Sequence, residues 1–277
     1  LKNCGYDLPP RSIVVNLAPA DLRKEGCHLD LAIAMATLAA HGEIADTALA
    51  GRLFCGELGL DGSVRPVRGA LAVADLAHRA GLSEVVLPAA NAAEAAALGS
   101  VAVFGVRNLT EAIEHALGIH KLRPADAAIV HGGPSSTLDL ADVRGQEAAK
   151  RALEIAAAGG HNLLFLGPPG SGKTMLARRL AGLLPPLSLA EAIAVTKIHS
   201  LASESPPNGL VTTRPFRSPH AGSSAAGMIG GGSMPRPGEA SLAHNGVLFL
   251  DELPEFRRDT LEALRQPLEE GFALVVR

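Results

Sequence analysis

Residues 162–174 read Asn-Leu-Leu-Phe-Leu-Gly-Pro-Pro-Gly-Ser-Gly-Lys-Thr. From Gly167 to Thr174 they match the phosphate-loop pattern G-x-x-x-x-G-K-[ST] at every fixed position. The apolar run Asn162–Leu166 predicts a short buried strand, and Gly172–Leu184 predicts a helix that ends before two prolines. A strand, a glycine-rich turn and a helix in this order predict an α/β fold that carries a phosphate site.

The residue types of this loop explain how it can hold phosphate. Glycines let consecutive backbone N–H groups turn inward at a helix N-terminus, where they bind anions. The ammonium of Lys173 can reach the β- and γ-phosphates of a nucleotide, and the Thr174 hydroxyl can ligate Mg²⁺. We therefore predict that eight residues bind the nucleotide, namely Gly167, Pro168, Pro169, Gly170, Ser171, Gly172, Lys173 and Thr174.

A second segment, Val247-Leu-Phe-Leu-Asp-Glu252, predicts a buried strand that ends in two carboxylates. In phosphoryl transfer this pattern favours Asp251 as a Mg²⁺ ligand and Glu252 as the group that polarises the attacking water. Lys173 and Glu252 are thus the predicted catalytic residues, and Thr174 and Asp251 are the predicted metal ligands. ATP and Mg²⁺ are the predicted cofactors. A glycine-rich loop alone can be an ordinary turn, but the distant Asp-Glu pair argues against that interpretation.

Composition limits the classes of protein to which the chain can belong. Its 277 residues leave room for two domains, and 47% hydrophobic with 19% charged residues is typical of a globular protein. The net charge of −3 provides no overall basic field that would indicate nucleic-acid binding. Apolar stretches such as Leu31–Ala40 are too short to span a bilayer, and no apolar leader opens the sequence. We therefore expect a cytoplasmic protein without membrane contact.

The cysteines give no sign of a disulfide framework or a metal site. Cys4, Cys27 and Cys55 are odd in number and share no metal-ligand spacing, which indicates reduced thiols. The pair Cys27-His28 lacks a second pair of ligands, which argues against metal binding there.

The chain has two halves that are joined by a linker. A Gly-Gly-Pro-Ser-Ser run within His131–Thr137 indicates that linker, so we place domains at 1–122 and 138–277 and the linker at 123–137. The first half alternates strands, predicted at Ile13–Leu17, Leu53–Leu58, Glu84–Leu87 and Val101–Val106, with helices, predicted at Asp30–His41, Val67–Ala80 and Thr110–Leu117. Asn91 and Thr110 are predicted helix caps; Ser188 with Glu191, and Asp259 with Glu262, are predicted capping boxes.

Both ends of the sequence suggest a longer protein. The chain lacks an initiator methionine and stops at Arg277 inside the β-rich run Phe272–Val276. We therefore expect each half to be incomplete, the first at its N-terminus and the second at its C-terminus.

Several motifs give the sequence a family resemblance that covers essentially the whole chain. The second half resembles the magnesium-chelatase-like AAA+ ATPases through Asp142-Val-Arg-Gly-Gln-Glu147, Gly167–Thr174, Phe216-Arg-Ser-Pro-His220, 230–239 and 247–256. The first half resembles the Lon-protease-like domain of the YifB/ComM branch through 16–21, 24–26, 30–31 and 56–64. The resemblance implies an α/β fold in which a Lon-protease-like α+β domain precedes a truncated P-loop AAA+ domain with a helix-2 insertion.

The resemblance also implies a role for residues 205–246, which are rich in Gly, Pro and Ser. They look like the insertion, facing the pore of a homo-hexameric ring, and they carry the positive charges of Arg214, Arg217, His220 and Arg236. One interpretation is contact with a DNA backbone. The alternative is a solvated loop whose charges contact nothing, since Phe216 is its only aromatic residue. Where the family usually has a second histidine after His220, Ala221 stands here.

Proteolysis by the Lon-like half is not expected, because the catalytic dyad is missing. A Ser-Lys dyad needs a serine just after Lys24-Glu-Gly26, where His28 stands instead. It also needs a lysine in the helix Val67–Ala80, which holds only Arg68 and Arg79 as its long cationic side chains. This half is better interpreted as a structural or recruiting module.

The resemblance favours an ATP-hydrolysing ring motor of the DNA helicase or branch-migration type. The alternative is a chelatase-type ATPase subunit that remodels a protein partner for Mg²⁺ insertion into a porphyrin, although such subunits normally lack the Lon-like half. A third interpretation is a protein-binding regulator that ATP only switches; the position of Glu252 argues mildly against it. The family's sensor, arginine-finger and lid residues are expected beyond Arg277, so this piece alone should not turn over ATP at a useful rate.

Overall fold

The computed structural model describes residues 1–6, 12–18, 26–127, 138–202, 209–231 and 235–271. The chain divides into two compact units, Leu1–Ile129 with Ser203–Gly209 and Val130–Ala202 with Leu210–Arg277. This division falls inside the predicted linker 123–137, whose residues from 128 onwards lie outside the described part. The start of that linker belongs to the first unit, because the Ala125 N–H donates to the Val103 carbonyl at 2.7 Å.

A parallel sheet forms the centre of the first unit. Its elements are α1 Asp30–Ala40, α2 Asp46–Leu49, β1 Arg52–Phe54, β2 Glu57–Leu58, β3 Val64–Arg65, α3 Ala70–Arg79, β4 Glu84–Pro88, α4 Ala89–Ala96, β5 Ala102–Val106 and α5 Leu109–Leu117. In the sheet β4 lies between β1 and β5, so Val85 is opposite Leu53 on one side and Val103 on the other. Strands β2 and β3 form a separate antiparallel hairpin.

Helices cover both faces of this sheet, which gives the first unit an α/β architecture. Val86 and Phe104 pack in one core with α1 and α5, whereas Val85 and Val103 pack in a second core with α3 and α4. The central strand is therefore apolar along its length, as expected where both faces of a parallel sheet are buried. Small side chains allow close packing: a Cβ on Gly105 would lie 2.9 Å from the Ala92 methyl.

Most predicted elements of the first unit are confirmed to within three residues, with four differences. The run Ile13–Leu17 is extended but belongs to no strand of the described part, and Leu53–Leu58 divides into β1 and β2. Asn91 does not cap α4; it lies inside that helix, fully buried, and bonds the backbone of Val67. The cap of α5 is Asn108, whose side chain accepts from the Glu111 N–H, and not Thr110.

The second unit is mainly helical with short strand pairs. Its elements are α6 Glu147–Gly159, α7 Lys173–Leu183, α8 Leu189–Ala202, β6 Phe216–Arg217, α9 Ala225–Ile229, β7 Gly230–Gly231, β8 Arg236–Pro237, α10 Glu239–Leu242, β9 Val247–Leu248, α11 Arg258–Ala263 and α12 Arg265–Glu270. Strands β6 and β9 pair in parallel, and β7 and β8 form an antiparallel hairpin. One core holds Leu153 of α6 and Leu176 of α7; another holds Met228, Phe256 and Leu264.

The prediction of a strand at Asn162–Leu166 is wrong, because the structure has no strand there. These residues pair with no described strand, and Leu164 and Leu166 are 64% and 87% exposed. The second predicted strand is shorter than its apolar run and covers only Val247–Leu248. Apolar composition favours burial, but a strand forms only where a neighbouring backbone completes its hydrogen bonds.

The two predicted capping boxes have different outcomes. Ser188 and Glu191 bond each other's backbone N–H groups at 2.8 and 3.3 Å, which confirms the first. The second is wrong, because α11 begins at Arg258 and Glu262 forms an ion pair with that arginine. Among the described residues, no helix is long and apolar enough to cross a bilayer.

Candidate functional site

The loop Gly167–Gly172 turns tightly into the N-terminus of α7. Gly170 and Gly172 have φ angles of 78° and 85°, in the left-handed region that other residues rarely adopt. A Cβ on Gly170 would meet nothing within 4 Å, so the loop is open on that side. Helix α7 begins at Lys173. The first N–H groups of a helix have no acceptor within the helix, so they can bind an anion. The backbone here therefore fits a phosphate group.

Lys173 lies across this loop. Its ammonium donates to the carbonyls of Gly167 and Pro168, both at 2.9 Å. The side chain is therefore folded back over the loop, where its charge can meet a bound phosphate. The phosphate-loop pattern predicts that this lysine reaches the β- and γ-phosphates of a nucleotide.

Thr174 and Asp251 meet although they are far apart in sequence. The Thr174 hydroxyl donates to Asp251 Oδ2 at 2.8 Å, joining α7 to the chain that follows β9. A hydroxyl and a carboxylate are hard oxygen ligands of the type that Mg²⁺ prefers, and Mg²⁺ usually completes its shell with water and phosphate oxygens. These two side chains fit a Mg²⁺ ion that is shared with a nucleotide.

Glu252 has an unusual backbone conformation at this edge. Its φ of 54° places a non-glycine residue in the left-handed region, which costs about 1 kcal/mol or more and is frequent at functional sites. Its N–H donates to Asp251 Oδ1 at 3.0 Å, and its carbonyl accepts from the Glu255 N–H at 2.8 Å. The side chain is exposed, so its carboxylate can reach a water molecule beside the metal ligands.

An open cleft adjoins the two carboxylates. It is lined by Ser218, Pro219, His220, Ala221, Gly222, Asp251, Glu252 and Glu255. His220 thus lies near Asp251, the predicted metal ligand. The sequence alone places His220 among the residues that could contact nucleic acid and does not predict this position. No group of three or more His, Cys, Asp or Glu side chains in the described ranges forms a metal cluster.

Two residues outside the predicted site hold the loop and the helix that follows it. Gln146, with a φ of 61°, donates from Nε2 to the Ser171 carbonyl at 3.2 Å. Arg179, which is only 8% exposed, donates to the carbonyls of Asp139 and Met175 and so fixes α7. Gln146 belongs to the quoted motif 142–147, but no local sequence signal assigns it a contact with the loop.

Two of the four side chains to which the sequence analysis assigned positive charge in the 205–246 segment form internal ion pairs. Arg214 pairs with Glu191 and donates to the Asn245 carbonyl at 2.7 Å, and its side chain is 12% exposed. Arg217 pairs with Glu239 through two hydrogen bonds of 2.7 and 2.8 Å, and the bond to this carboxylate raises the pKa of the guanidinium. Arg236 is exposed on β8. Residues 203–208 and 232–234 of this segment lie outside the described part.

Neither Cys27 nor Cys55 of the first unit is an activated thiol. Asp30 raises the pKa of the exposed Cys27, and burial raises the pKa of Cys55 to about 11. A raised pKa leaves less thiolate, the form that reacts as a nucleophile. Cys4, Cys27 and Cys55 are free. Lys24 and Glu25, which precede the position where a dyad serine would stand, lie outside the described part.

Comparisons with known proteins agree with the motifs. The family model described as "Magnesium chelatase, subunit ChlI" matches residues 139–277, and "Subunit ChlI of Mg-chelatase" matches residues 1–91. The chain is 50% identical over 270 residues to "Uncharacterized protein YifB" of Salmonella typhimurium, covering 97% of this chain and 53% of that protein. It is 46% identical over 281 residues to "Competence protein ComM" of Haemophilus influenzae, covering 100% of this chain and 55% of that one.

The chain therefore spans about half the length of the curated relatives it matches. Among solved structures, NtrX from Brucella abortus in complex with ADP is 19% identical, with a TM-score of 0.33, over 87% of this chain and 51% of that one. A TM-score at that level does not establish a shared fold.

Proposed function

The chain belongs to the YifB/ComM family of magnesium-chelatase-like proteins, and we propose that it is the nucleotide-binding part of an AAA+ ATPase. The observation that carries the proposal is the 2.8 Å hydrogen bond between Thr174 and Asp251. It joins the phosphate loop to the carboxylate pair, with Lys173 on one side and Glu252 on the other. These four groups together supply what is needed to bind Mg·ATP and to hydrolyse it.

Each residue has a separate task in this proposal. The loop N–H groups and Lys173 hold the β- and γ-phosphates, and Thr174 and Asp251 hold Mg²⁺. When bound, Mg²⁺ neutralises charge that develops on the phosphate oxygens. Glu252 orients a water molecule and accepts its proton as the water oxygen attacks the terminal phosphorus. The bond to the bridging oxygen breaks, and ADP and inorganic phosphate are released.

We further propose that the complete protein is a homo-hexameric ring motor that acts on DNA, as a helicase or branch-migration factor. Residues 1–122 would be its Lon-protease-like domain and 138–277 its ATPase core, with DNA contacted through the 205–246 insertion. The exposed Arg236 on the β7–β8 hairpin supports this role, because it is a cation without an internal ion pair in the described residues. A relative named as a competence protein, which matches all of this chain, also supports it.

The second candidate is a chelatase-type ATPase that remodels a protein partner for Mg²⁺ insertion into a porphyrin. The descriptions of both matching family models favour it. The two candidates predict the same nucleotide site, so only the response to a partner separates them.

ATP hydrolysis by the complete native protein, with and without single-stranded and branched DNA, tests the proposal. We expect DNA to raise the rate, and we expect Lys173→Ala and Glu252→Gln to abolish it. Arg151→Ala, a change in an exposed ion pair on α6, is the matched control and should hydrolyse ATP at the native rate. Hydrolysis that ignores DNA would exclude the motor and favour the chelatase-type role. No hydrolysis by the native protein would contradict the ATPase proposal itself.

A further inference from the structure

The segments that follow β6 and β9 line the same cleft beside the proposed nucleotide site. The two strands run parallel, with Phe216 opposite Val247 and Arg217 opposite Leu248, so they end at the same edge. The chain after β9 supplies Asp251 and Glu252. The chain after β6 supplies residues 218–220, and both segments line one cleft. Groups that follow neighbouring parallel strands are well placed to contact a common ligand.

The ring of His220 has a defined donor in this cleft. The Gly222 N–H donates to His220 Nδ1 at 3.0 Å, so a neutral ring carries its proton on Nε2. Glycine at position 222 allows this approach, since a Cβ there would lie 3.2 Å from Nδ1. The backbone bond fixes the tautomer and leaves Nε2–H as a hydrogen-bond donor.

The cleft combines the nitrogen donor of His220 with acidic side chains. Asp251, Glu252 and Glu255 place three carboxylates along it, and among the described residues that line it only His220 has a nitrogen donor in its side chain. Asp251 also accepts the Thr174 hydroxyl, so the cleft adjoins the N-terminus of α7. A terminal phosphate held there lies beside carboxylates and is stabilised by any N–H that faces it.

The turn that carries His220 is fixed to the core of the second unit. The His220 carbonyl accepts from the Ser223 N–H at 2.9 Å, and the Ser223 carbonyl accepts from the buried Thr260 hydroxyl at 3.2 Å. Ala221 packs against the core that contains Met228. Ser224 then caps α9, which leads directly into β7 of the hairpin. A continuous, hydrogen-bonded segment therefore joins His220 to that hairpin.

We propose that His220 senses the terminal phosphate of ATP. Its Nε2–H donates to that phosphate, and the turn and α9 transmit the contact to the β7–β8 hairpin. ADP lacks the phosphate and leaves the donor without its partner. The inference rests on the nucleotide site proposed above, and it gives His220 a role separate from contact with nucleic acid.

Calorimetric binding of Mg·AMP-PNP and Mg·ADP to the complete native protein tests the contact. We expect His220→Ala to weaken AMP-PNP binding about tenfold, the loss typical of a hydrogen bond to a charged group, and to leave ADP binding within about twofold. His220→Gln keeps a donor and should recover part of the loss. His244→Ala removes an exposed imidazole elsewhere in the same unit and is the matched control.

The outcomes separate this inference from the function on which it rests. Equal AMP-PNP affinity in native protein and His220→Ala would overturn the contact, and an equal loss for both nucleotides would show a merely structural role. A native protein that binds neither nucleotide would overturn the proposed function, and the inference with it.

Hydrogen exchange at residues 225–237 tests the transmission. The exchange rates in the AMP-PNP and ADP complexes should differ in native protein and become alike in His220→Ala. A difference that persists in the variant would overturn the proposed path to the hairpin.

Discussion

The Thr174 hydroxyl donates a 2.8 Å hydrogen bond to Asp251 across 77 positions of sequence. Both groups are partly buried, and both are oxygen ligands. The bond shows that the fold itself brings the start of α7 to the chain that follows β9. The proposed metal site is therefore preorganised in the fold.

Removing the hydroxyl should weaken metal-dependent nucleotide binding. We expect Thr174→Val to lower the affinity for Mg·ATP about tenfold, because one ligand and one hydrogen bond are lost. Binding of ATP in EDTA should change little, and Thr174→Ser should retain the native behaviour. Titration calorimetry with and without Mg²⁺ measures this. An equal loss in EDTA would contradict a role for Thr174 in metal binding.

The basic residues of the 205–246 segment should differ in their effect on DNA binding. The slope of log DNA affinity against log salt concentration should become shallower by about one in Arg236→Ala, since this side chain is exposed and can contact one phosphate. Arg217→Ala should leave that slope nearly unchanged, because its guanidinium is paired with Glu239. Fluorescence anisotropy of the complete protein over a range of salt concentrations measures both. Similar slopes for both variants would contradict this distinction.

Asn91 should be important for the stability of the first unit. Its side chain bonds the N–H and the carbonyl of Val67 at 2.8 and 2.9 Å in a fully buried position. Asn91→Leu leaves both backbone groups unpaired, so we expect a loss of about 2–4 kcal/mol in the free energy of unfolding. Asn108→Ala removes only a helix cap and should cost about 1 kcal/mol. Urea denaturation compares them, and equal losses would show that the buried bonds are not decisive.

His115 should make the first unit less stable in mild acid. Burial lowers the pKa of this imidazole, although the nearby Glu84 carboxylate opposes the shift; its Nδ1 accepts the Leu122 N–H. The unfolded chain therefore takes up a proton at a higher pH than the folded chain. The contribution of neutral His115 to stability is fully present above about pH 6.5, the ordinary pKa of a histidine. It falls as the pH drops from there towards the lower pKa of the folded state.

Unfolding free energies at pH 7.5 and 5.5 measure this effect. His115→Gln should reduce the difference between the two pH values, whereas His120→Gln, a change at an exposed neighbour, should preserve it. If the unfolding free energies of His115→Gln at the two pH values differ as much as those of the native protein, other groups cause the acid sensitivity.

Local signals in the sequence were reliable where neighbouring residues determine conformation. The helix after the phosphate loop, the end of α5 at Gly118 and the Ser188–Glu191 box all agree with their predictions. Asn91 was misassigned because a buried amide and a helix cap have the same local sequence pattern. The Asn162–Leu166 strand was misassigned because apolar content does not reveal whether a partner strand is present.

The sequence by itself determined the phosphate loop, the cation at Lys173 and the two carboxylates at 251 and 252, because these depend on residue type and short spacing. Only the tertiary structure decided that Thr174 meets Asp251, that His220 shares their cleft, and that Glu239 pairs with Arg217. Each of these contacts joins distant segments, so it depends on strand pairing and packing of the whole unit. Local spacing carries no information about those long-range choices.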